Sequence, residues 1–318
     1  MDPLTHSLAG AVIASFSGHE PSLANPVYLG VILGSLAPDI DIIYQLKGAM
    51  CYLKYHRGFS HSILGSGAIS FLITGLLMLF YPHAEFGELF LWTFAGALSH
   101  ILLDVLNSYG AKVLWPLHNK KINIGILTIF DPILVLIMLA TIVGRFYTYL
   151  SVWFGAGAVL TYLVFRYFIA LKIRKVLLRR YGDKLMIKIS VLPSLINIWN
   201  WHFMVEYKNK FIVGEISFFS WRSKNKKIFR KQLNHPVVKA ALDSRLGKMF
   251  KEFTPIFHVF CKRNKLGHEV IFIDLRYLFK DEFMHSATGL FNKQQQLIKG
   301  LFHPYNHKNS KIVDFTGS

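Results

Sequence analysis

The sequence predicts an α-helical membrane bundle of about five to six helices, followed by a cytoplasmic domain that is β-rich or α+β. Three observations predict this fold class. Hydrophobic residues make up 53% of the 318-residue chain and charged residues 17%, and six apolar segments precede residue 172. Residues 1–171 hold eight basic and eight acidic residues, so the net charge of +18 belongs to residues 172–318. Alternating, aromatic-rich segments occur only in that second part. We therefore predict two domains, 1–171 and 172–318.

The six apolar segments predict the helices of the bundle. Most of them reach the ~17–25 residues that a spanning helix needs, but the first is short and fits a half-buried helix sheltered by its neighbours. The segments lie at about 4–16, 27–43, 62–81, 89–106, 132–150 and 152–171. The motif Gly30-x-x-x-Gly34 and the pair Gly96-Ala97 favour close helix packing, although glycine is common in membrane helices generally.

The distribution of Lys and Arg among the loops predicts the topology. If the N-terminus defines one side of the membrane, the loops 44–61 and 107–131 and the C-terminal domain lie on that side. The opposite loops, 17–26 and 82–88, hold no Lys or Arg. Because basic loops stay in the cytoplasm, we expect a multi-pass protein of the bacterial inner membrane. The basic loop residues are Lys47, Lys54, Arg57, Lys112, Lys120 and Lys121.

The C-terminal part predicts a small folded domain. The segments 185–192, 203–207 and 211–219 have strand patterns, and Asn209 lies in a turn-like sequence that closes a hairpin. Residues 237–251 have helical spacing. We expect the tail, roughly 303–318, to be disordered. The two cysteines, Cys51 and Cys261, indicate neither a disulfide framework nor a cysteine-based metal site.

Seven potential metal ligands occur near the predicted ends of the first four helices. Acids and histidines in or beside membrane helices are costly to place and mark function by default. If the helices alternate in direction, all seven lie on the cytoplasmic side. They are His6, Asp39, Asp41, His56, His61, His100 and Asp104.

Spacing supports some of these candidates more strongly than others. His100 and Asp104 are four residues apart on one helix face, so both can bind one metal, or Asp104 can orient His100. A polar pair that holds helices together is the alternative. Asp39 and Asp41 follow a helix C-terminus, where the helix dipole disfavours anions. In an extended segment they would point the same way; a solvated loop is the alternative. His6 gains weight only from its side of the membrane.

The segment from His56 to Ser62 is the densest motif. Two histidines flank Gly58, and Ser60 is predicted to cap the following helix. Arg57 and the N-terminus of that helix together form an anion site suited to phosphate. Solvent exposure is the alternative for a histidine in a loop. Asp131 precedes Pro132 and is most simply an N-cap, with a role behind the metal ligands as the alternative.

Seven nitrogen and oxygen ligands exceed what one four-coordinate zinc needs. They suit two or three divalent metals about 3.5–4 Å apart, which activate water and hold phosphoester oxygens. A ligand set without thiolate admits zinc, our first choice, and also manganese or iron.

At this point the sequence resembles the YdjM-like family of bacterial inner-membrane proteins, which is described as membrane-bound metal-dependent hydrolases and is also labelled LexA-binding. The resemblance covers roughly residues 1–170. It implies hydrolase activity and a metal-binding role for all seven candidates. The matching pieces are Thr5-His6, Pro38-Asp39-Ile40-Asp41, His56-Arg57-Gly58, Ser60-His61-Ser62, His100-x-x-x-Asp104, Asn107-Ser108-x-Gly110 and Asp131-Pro132. A looser likeness to zinc-dependent phospholipase C and P1-type nucleases is an analogy of fold alone.

The resulting hypothesis is a membrane-bound metal-dependent hydrolase, in which metal-activated water attacks a phosphoester of a lipid or lipid-linked substrate at the cytoplasmic face. Arg57 and Asp41 are the predicted catalytic residues, and Ser60, Asn107 and Asp131 are predicted to support the ligands. Membrane lipids are the expected partners. The alternative is a non-enzymatic membrane adaptor whose basic domain binds lipid, DNA or a protein. A cation transporter would need ligands at mid-membrane depth.

Overall fold

The computed structural model divides the chain into two compact units. The helical unit comprises Met1–Leu46 and Tyr55–Ile169, and the sheet unit comprises Lys47–Lys54 and Ala170–Ser318. The structure describes residues 1–47, 52, 56–195, 197–232, 234–264, 267–279, 282–304 and 311–313.

Six α-helices follow one another from residue 3 to residue 181. Asp2, Asn25 and Asp131 cap α1, α2 and α5, and a proline follows each cap at the first helical position. The capping role predicted for Asp131 is thus confirmed. The helices are α1 (Pro3–Ser15), α2 (Pro26–Leu36), α3 (Ile63–Met78), α4 (Phe86–Leu106), α5 (Pro132–Arg145) and α6 (Leu150–Tyr181), with 3₁₀ segments at Ala37–Lys47 and Phe59–His61.

Three of the helical segments are long and apolar enough to cross a membrane: Pro26–Leu46, Phe86–Leu106 and Leu150–Tyr181. The first combines α2 with the 3₁₀ segment after it. Ile63–Met78 and Pro132–Arg145 are apolar but shorter, and α1 has 13 residues. The predicted helical region is therefore present, and fewer of its segments reach spanning length than the apolar runs suggested.

The segment that carries Asp39 and Asp41 differs from the expectation. The α-helix ends at Leu36, and residues 37–47 continue as a 3₁₀ helix rather than as an extended chain. A 3₁₀ helix has about three residues per turn, so residues two apart differ by about 240° in direction. The two carboxylates consequently point to different neighbours, and the prediction that they point the same way is wrong.

Helices α2 and α4 approach each other closely, as the glycine spacing predicted. A Cβ atom built on Gly34 would lie 2.1 Å from the carbonyl oxygen of Thr93, and one on Gly96 would lie 2.2 Å from that of Val31. Real side chains do not tolerate such distances, so glycine is required at both positions. This close packing sets the relation between the end of α2 and the last turns of α4.

The sheet unit contains two antiparallel sheets and a two-stranded ribbon. The first sheet has the order β1-β2-β3-β4, and the predicted hairpin around Asn209 joins β2 to β3. The second has the order β11-β10-β9-β6-β5, and β7 pairs with β8. The strands are β1 (Met186–Pro193), β2 (Asn200–Tyr207), β3 (Lys210–Ser217), β4 (Ser223–Arg230), β5 (Phe257–Asn264), β6 (Gly267–Asp274), β7 (Leu278–Phe279), β8 (Glu282–Phe283), β9 (His285–Phe291), β10 (Leu297–Pro304) and β11 (Lys311–Val313).

Two short helices, α7 (Pro236–Asp243) and α8 (Arg245–Phe253), replace the single helix expected over 237–251. Ser244 breaks the helix because its backbone is extended, and its side chain accepts a hydrogen bond from the backbone N–H of Gly247, 3.2 Å away. The apolar faces of α7 and α8 pack with residues of β5, β6, β9 and β10 in one core.

The expected disorder of the tail is wrong for part of it. Strand β10 continues to Pro304, and Lys311–Val313 pairs with it as β11. The remainder of the predicted tail, 305–310 and 314–318, lies outside the described residues.

Candidate metal centre

Four potential ligand atoms from three separate elements converge in the helical unit. The Nε2 atoms of His61 and His100 are 3.1 Å apart, and Asp104 Oδ2 is 3.3 Å from the first and 3.9 Å from the second. Asp39 Oδ1 lies 3.6 Å from both nitrogens. Ligand atoms about 2.1 Å from a tetrahedral ion lie about 3.4 Å from one another. The observed spacing therefore matches one tetrahedral metal site.

His6 adds a fifth donor to this group. Its ring stacks on that of His100 with the centroids 3.5 Å apart, and its Nε2 lies 3.6 Å from Asp104 Oδ1. The amino group of Met1 contacts both His6 Nε2 and Asp104 Oδ1. His6 Nδ1 is buried without a hydrogen-bond partner. We call His6, Asp39, His61, His100 and Asp104 the donor cluster.

Local structure places each member of the donor cluster at the end of an element. His6 lies in the first turns of α1, Asp39 follows α2, and His61 precedes α3. His100 and Asp104 lie one turn apart in the last turns of α4, as their spacing predicted. The donors therefore gather at one end of the helical unit.

A backbone carbonyl orients His100. Its Nδ1 donates to the carbonyl oxygen of Ser35 at 2.7 Å, which leaves the Nε2 lone pair directed at the donor cluster. The sequence contained no signal for this contact, because any residue type supplies a carbonyl. The contact depends on the close packing of α2 against α4 that Gly34 and Gly96 permit.

Asp41 lies behind His61 rather than among the converging atoms. Its Oδ2 accepts a hydrogen bond from the backbone N–H of Arg57 at 2.8 Å and from Ser60 Oγ at 3.3 Å, and it lies 3.3 Å from His61 Nδ1. His56 Nδ1 donates to Asp41 Oδ1 at 2.9 Å. Asp41 thus contacts the donor cluster through the far side of the His61 ring. This is the position of a carboxylate that orients a metal-binding histidine.

The carboxylates around His61 determine its protonation. Burial lowers the pKa of His61, but hydrogen bonds with Asp104, Asp39 and Asp41 outweigh burial and raise the pKa to about 10. Burial lowers the pKa of His56, and the contact with Asp41 offsets only part of that effect. His61 is therefore the histidine around which negative charge is concentrated, as a cation site requires.

Arg57 and Asn107 hold Asp104. Arg57 Nε lies 2.9 Å from Asp104 Oδ2, an ion pair that lacks the angles of a hydrogen bond, and its Nη1 donates to Asn107 Oδ1 at 3.1 Å. Asn107 Nδ2 in turn donates to Asp104 Oδ1 at 2.9 Å. Arg57 has a φ of 62°, a left-handed conformation that brings its side chain and its backbone N–H to bear on two different carboxylates.

The remaining predicted residues separate into two groups. Ser60 contacts Asp41 and lies 3.1 Å from His61 Nδ1, which fits a supporting role. It does not cap α3: that prediction is wrong, because Ser62 accepts the hydrogen bond from the backbone N–H of Gly65 at 3.0 Å. Asp131 accepts hydrogen bonds from Tyr162 Oη at 2.8 and 2.9 Å, so its described contacts join α5 to α6.

Comparison with known proteins places this arrangement in a family. The family model described as YdjM inner membrane protein matches residues 1–173, which include the whole donor cluster. The chain belongs to the YdjM inner membrane protein family. A second model, the YfhP C-terminal alpha/beta plait domain, matches residues 236–312, the region of α7, α8 and the second sheet.

Individual relatives extend the YdjM family assignment. The chain is 28% identical over 306 residues to the uncharacterized protein YfhP of Bacillus subtilis (strain 168), with 89% of each chain covered. It is 33% identical over 132 residues to the inner membrane protein YdjM of Escherichia coli (strain K12), covering 36% of this chain and 63% of that one. The YdjM protein of Shigella flexneri matches equally. No solved structure matches the chain.

Proposed function

We propose that this YdjM-family protein is a membrane-bound metal-dependent hydrolase that cleaves a phosphoester of a lipid or lipid-linked substrate. One observation carries the proposal: the convergence of buried imidazole and carboxylate donors at metal-ligand spacing. Two overlapping groups, His6/Asp39/His100 and His61/His100/Asp104, each have their ligand atoms within 4.8 Å of one another. Hydrogen bonding between helices does not require this arrangement, since His61 Nε2 and His100 Nε2 face each other.

The chemistry of the donor cluster fits divalent metal. All its donors are nitrogen or oxygen, and three of its members are histidines, which suits zinc first and manganese or iron next. Asp104 directs its two oxygens to different sides, one toward His61 and one toward His6. A carboxylate in that position suits a bridge between two ions, and we propose two or three ions in all. Divalent metal, when bound, supplies activation of water and neutralisation of phosphate charge.

The residues around the donor cluster have separate roles in this proposal. Asp41 orients the imidazoles of His61 and His56, and it carries no charge to the substrate itself. Arg57 contributes a guanidinium beside Asp104, where a phosphate oxygen can share it. Asn107 keeps Asp104 in place when that sharing weakens the contact with Arg57. The catalytic role that the sequence suggested for Asp41 thus becomes a positioning role.

The surroundings of Asp39 support a lipid-borne substrate. Asp39 is the member of the donor cluster with appreciable side-chain exposure, 31%, whereas the other four are fully buried. Its neighbours Ile40, Ile42 and Ile43 expose about three-fifths of their surface. An apolar, exposed segment next to the opening of a site suits a substrate that arrives from the bilayer rather than from water.

Orientation completes the proposal. The basic loops that predict a cytoplasmic location, 44–61 and 107–131, flank the end of the helical unit where the donor cluster lies. We therefore propose that the site and the C-terminal domain face the cytoplasm in a multi-pass arrangement.

Metal analysis of the purified full-length protein tests the site. We expect zinc, manganese or iron at one or more equivalents, and loss of at least one equivalent in His61→Ala and in Asp104→Ala. His19→Ala is the matched control, because His19 pairs with Glu88 at 2.9 Å and does not belong to the donor cluster. Full occupancy in both cluster variants would rule out the site.

Hydrolysis is tested separately with phospholipid and lipid-linked phosphoesters in detergent or in nanodiscs. We expect phosphate release that a chelator abolishes, that added metal restores, and that Asp104→Ala lacks while His19→Ala retains it. A folded, metal-free protein without hydrolysis, whose binding of lipid, DNA or protein survives loss of the histidines, would instead establish the adaptor function.

A further inference from the structure

A cluster of aromatic side chains lies on the surface of the sheet unit. The centroid distances are 5.3 Å for Trp199–Phe219, 5.9 Å for Trp199–Phe218 and 5.6 Å for Phe218–Trp221. Phe219 is 69% exposed, and the other three are only half-buried. We call these four residues the aromatic patch. A contiguous group of exposed aromatic rings indicates a surface that is covered by a partner.

Two contacts join the aromatic patch to the end of α6. Lys172 Nζ lies 4.7 Å from the centroid of the Trp221 ring, and Arg180 Nη2 donates to the Trp221 carbonyl oxygen at 2.5 Å. Arg180 Nη1 also donates to Ser223 Oγ at 3.2 Å. Lys172 directly follows the apolar part of α6, which is long and apolar enough to cross a membrane. Where α6 leaves the bilayer, the aromatic patch is therefore at the same depth.

The charge around the aromatic patch is uniformly positive. The segments 172–181 and 218–230 hold ten basic residues and no Asp or Glu. Basic residues next to a spanning helix bind anionic headgroups, and Trp rings concentrate at the boundary between hydrocarbon and water. The ten residues are Lys172, Arg174, Lys175, Arg179, Arg180, Arg222, Lys224, Lys226, Lys227 and Arg230.

We propose that the aromatic patch docks on the membrane that α6 crosses, with its rings at headgroup level and the surrounding basic residues against anionic phospholipid headgroups. The position of Trp221 beside Lys172 favours lipid over nucleic acid or a soluble protein, because such a partner would have to displace headgroups at that depth. The proposal rests on α6 crossing the membrane and is independent of the metal chemistry.

Depth-dependent quenching in nanodiscs tests the docking. The full chain with Cys51→Ser and Cys261→Ser receives either Phe219→Cys or Ile298→Cys, each labelled with an environment-sensitive fluorophore. Ile298 is the matched control, because it is 61% exposed on β10 and lies outside the aromatic patch. We expect nitroxide-labelled lipid to quench the label at 219 and shift its emission to the blue, with neither effect at 298. A water-like, unquenched label at 219 would overturn the proposal.

Lipid charge provides the second arm of the test. Discs of phosphatidylcholine are compared with discs that also contain phosphatidylglycerol, and the exposed residues Arg222 and Lys224 are changed together to Glu in the chain labelled at 219. We expect phosphatidylglycerol to increase quenching, and the double variant to lose that increase while its unfolding midpoint stays unchanged. Quenching that ignores lipid charge, or a label that responds to added DNA instead, would refute contact with anionic headgroups.

Discussion

Replacing Asp41 by Asn separates an orienting carboxylate from a metal ligand. The carboxylate of Asp41 receives three donors, from His56, Arg57 and Ser60, at 2.8–3.3 Å and lies 3.3 Å from His61 Nδ1. An amide keeps one oxygen, so its NH₂ group would face at least one of these donors, and the negative charge beside the His61 ring is lost.

The expected effect follows from how such outer partners act elsewhere. Loss of a group that orients a metal-binding histidine costs about 10–100-fold in metal affinity, or about 1.4–2.7 kcal/mol. We therefore expect Asp41→Asn to bind the same number of metal equivalents with about 10–100-fold weaker affinity. Competition with a chromogenic zinc chelator measures both quantities on the purified full-length protein.

Asp131→Asn is the matched control for this measurement. It also removes a buried carboxylate, but the described partners of Asp131 are Tyr162 Oη and the backbone N–H of Leu134. We expect lower thermal stability and unchanged metal affinity. Loss of a whole metal equivalent in Asp41→Asn would make Asp41 a ligand, and unchanged affinity would show that it does not orient His61; either result refutes the reasoning.

Two further predictions concern packing and acid stability. Gly34→Ala should cost about 1–3 kcal/mol through overpacking against Thr93, seen as a lower unfolding midpoint, whereas Gly75→Ala, which has no neighbour within 4 Å, should not; equal midpoints would contradict this. In the sheet unit, burial lowers the pKa of three histidines to about 4. The unfolded chain, with histidine pKa near 6.5, binds more protons between these values, so stability present above pH ~6.5 should fall toward pH ~4 by about 3 kcal/mol per histidine. Amide exchange of β2, β5 and β9 measures this, and a flat profile would disprove it. The three are His202, His258 and His285.

The family and the coarse fold were predictable because they depend on local patterns. Apolar runs located the helices, and alternation with a turn at Asn209 located the β2–β3 hairpin. Boundaries were less predictable where one side chain decided them. Ser244 divides a segment of continuous helical spacing into two helices, since its hydrogen bond to Gly247 begins a new one.

The candidate site shows the same difference at the level of single atoms. Residue types and loop charge were sufficient to propose which side chains meet, and five of the seven candidates do converge. The distinction between Asp39, which faces the converging histidines, and Asp41, which supports them from behind, arises from the 3₁₀ geometry after Leu36. No spacing rule indicated that geometry.

The sequence by itself determined the membrane family, the division into an apolar and a basic part, and the residues that collect at one end of the helices. These follow from hydrophobicity and charge, which act on each segment separately. Only the tertiary structure decided which atom of each imidazole is turned toward the cluster, that the Ser35 carbonyl orients His100, and that aromatic rings surround the end of α6. Those features depend on distances between segments far apart in the chain, and such distances arise only when the segments pack.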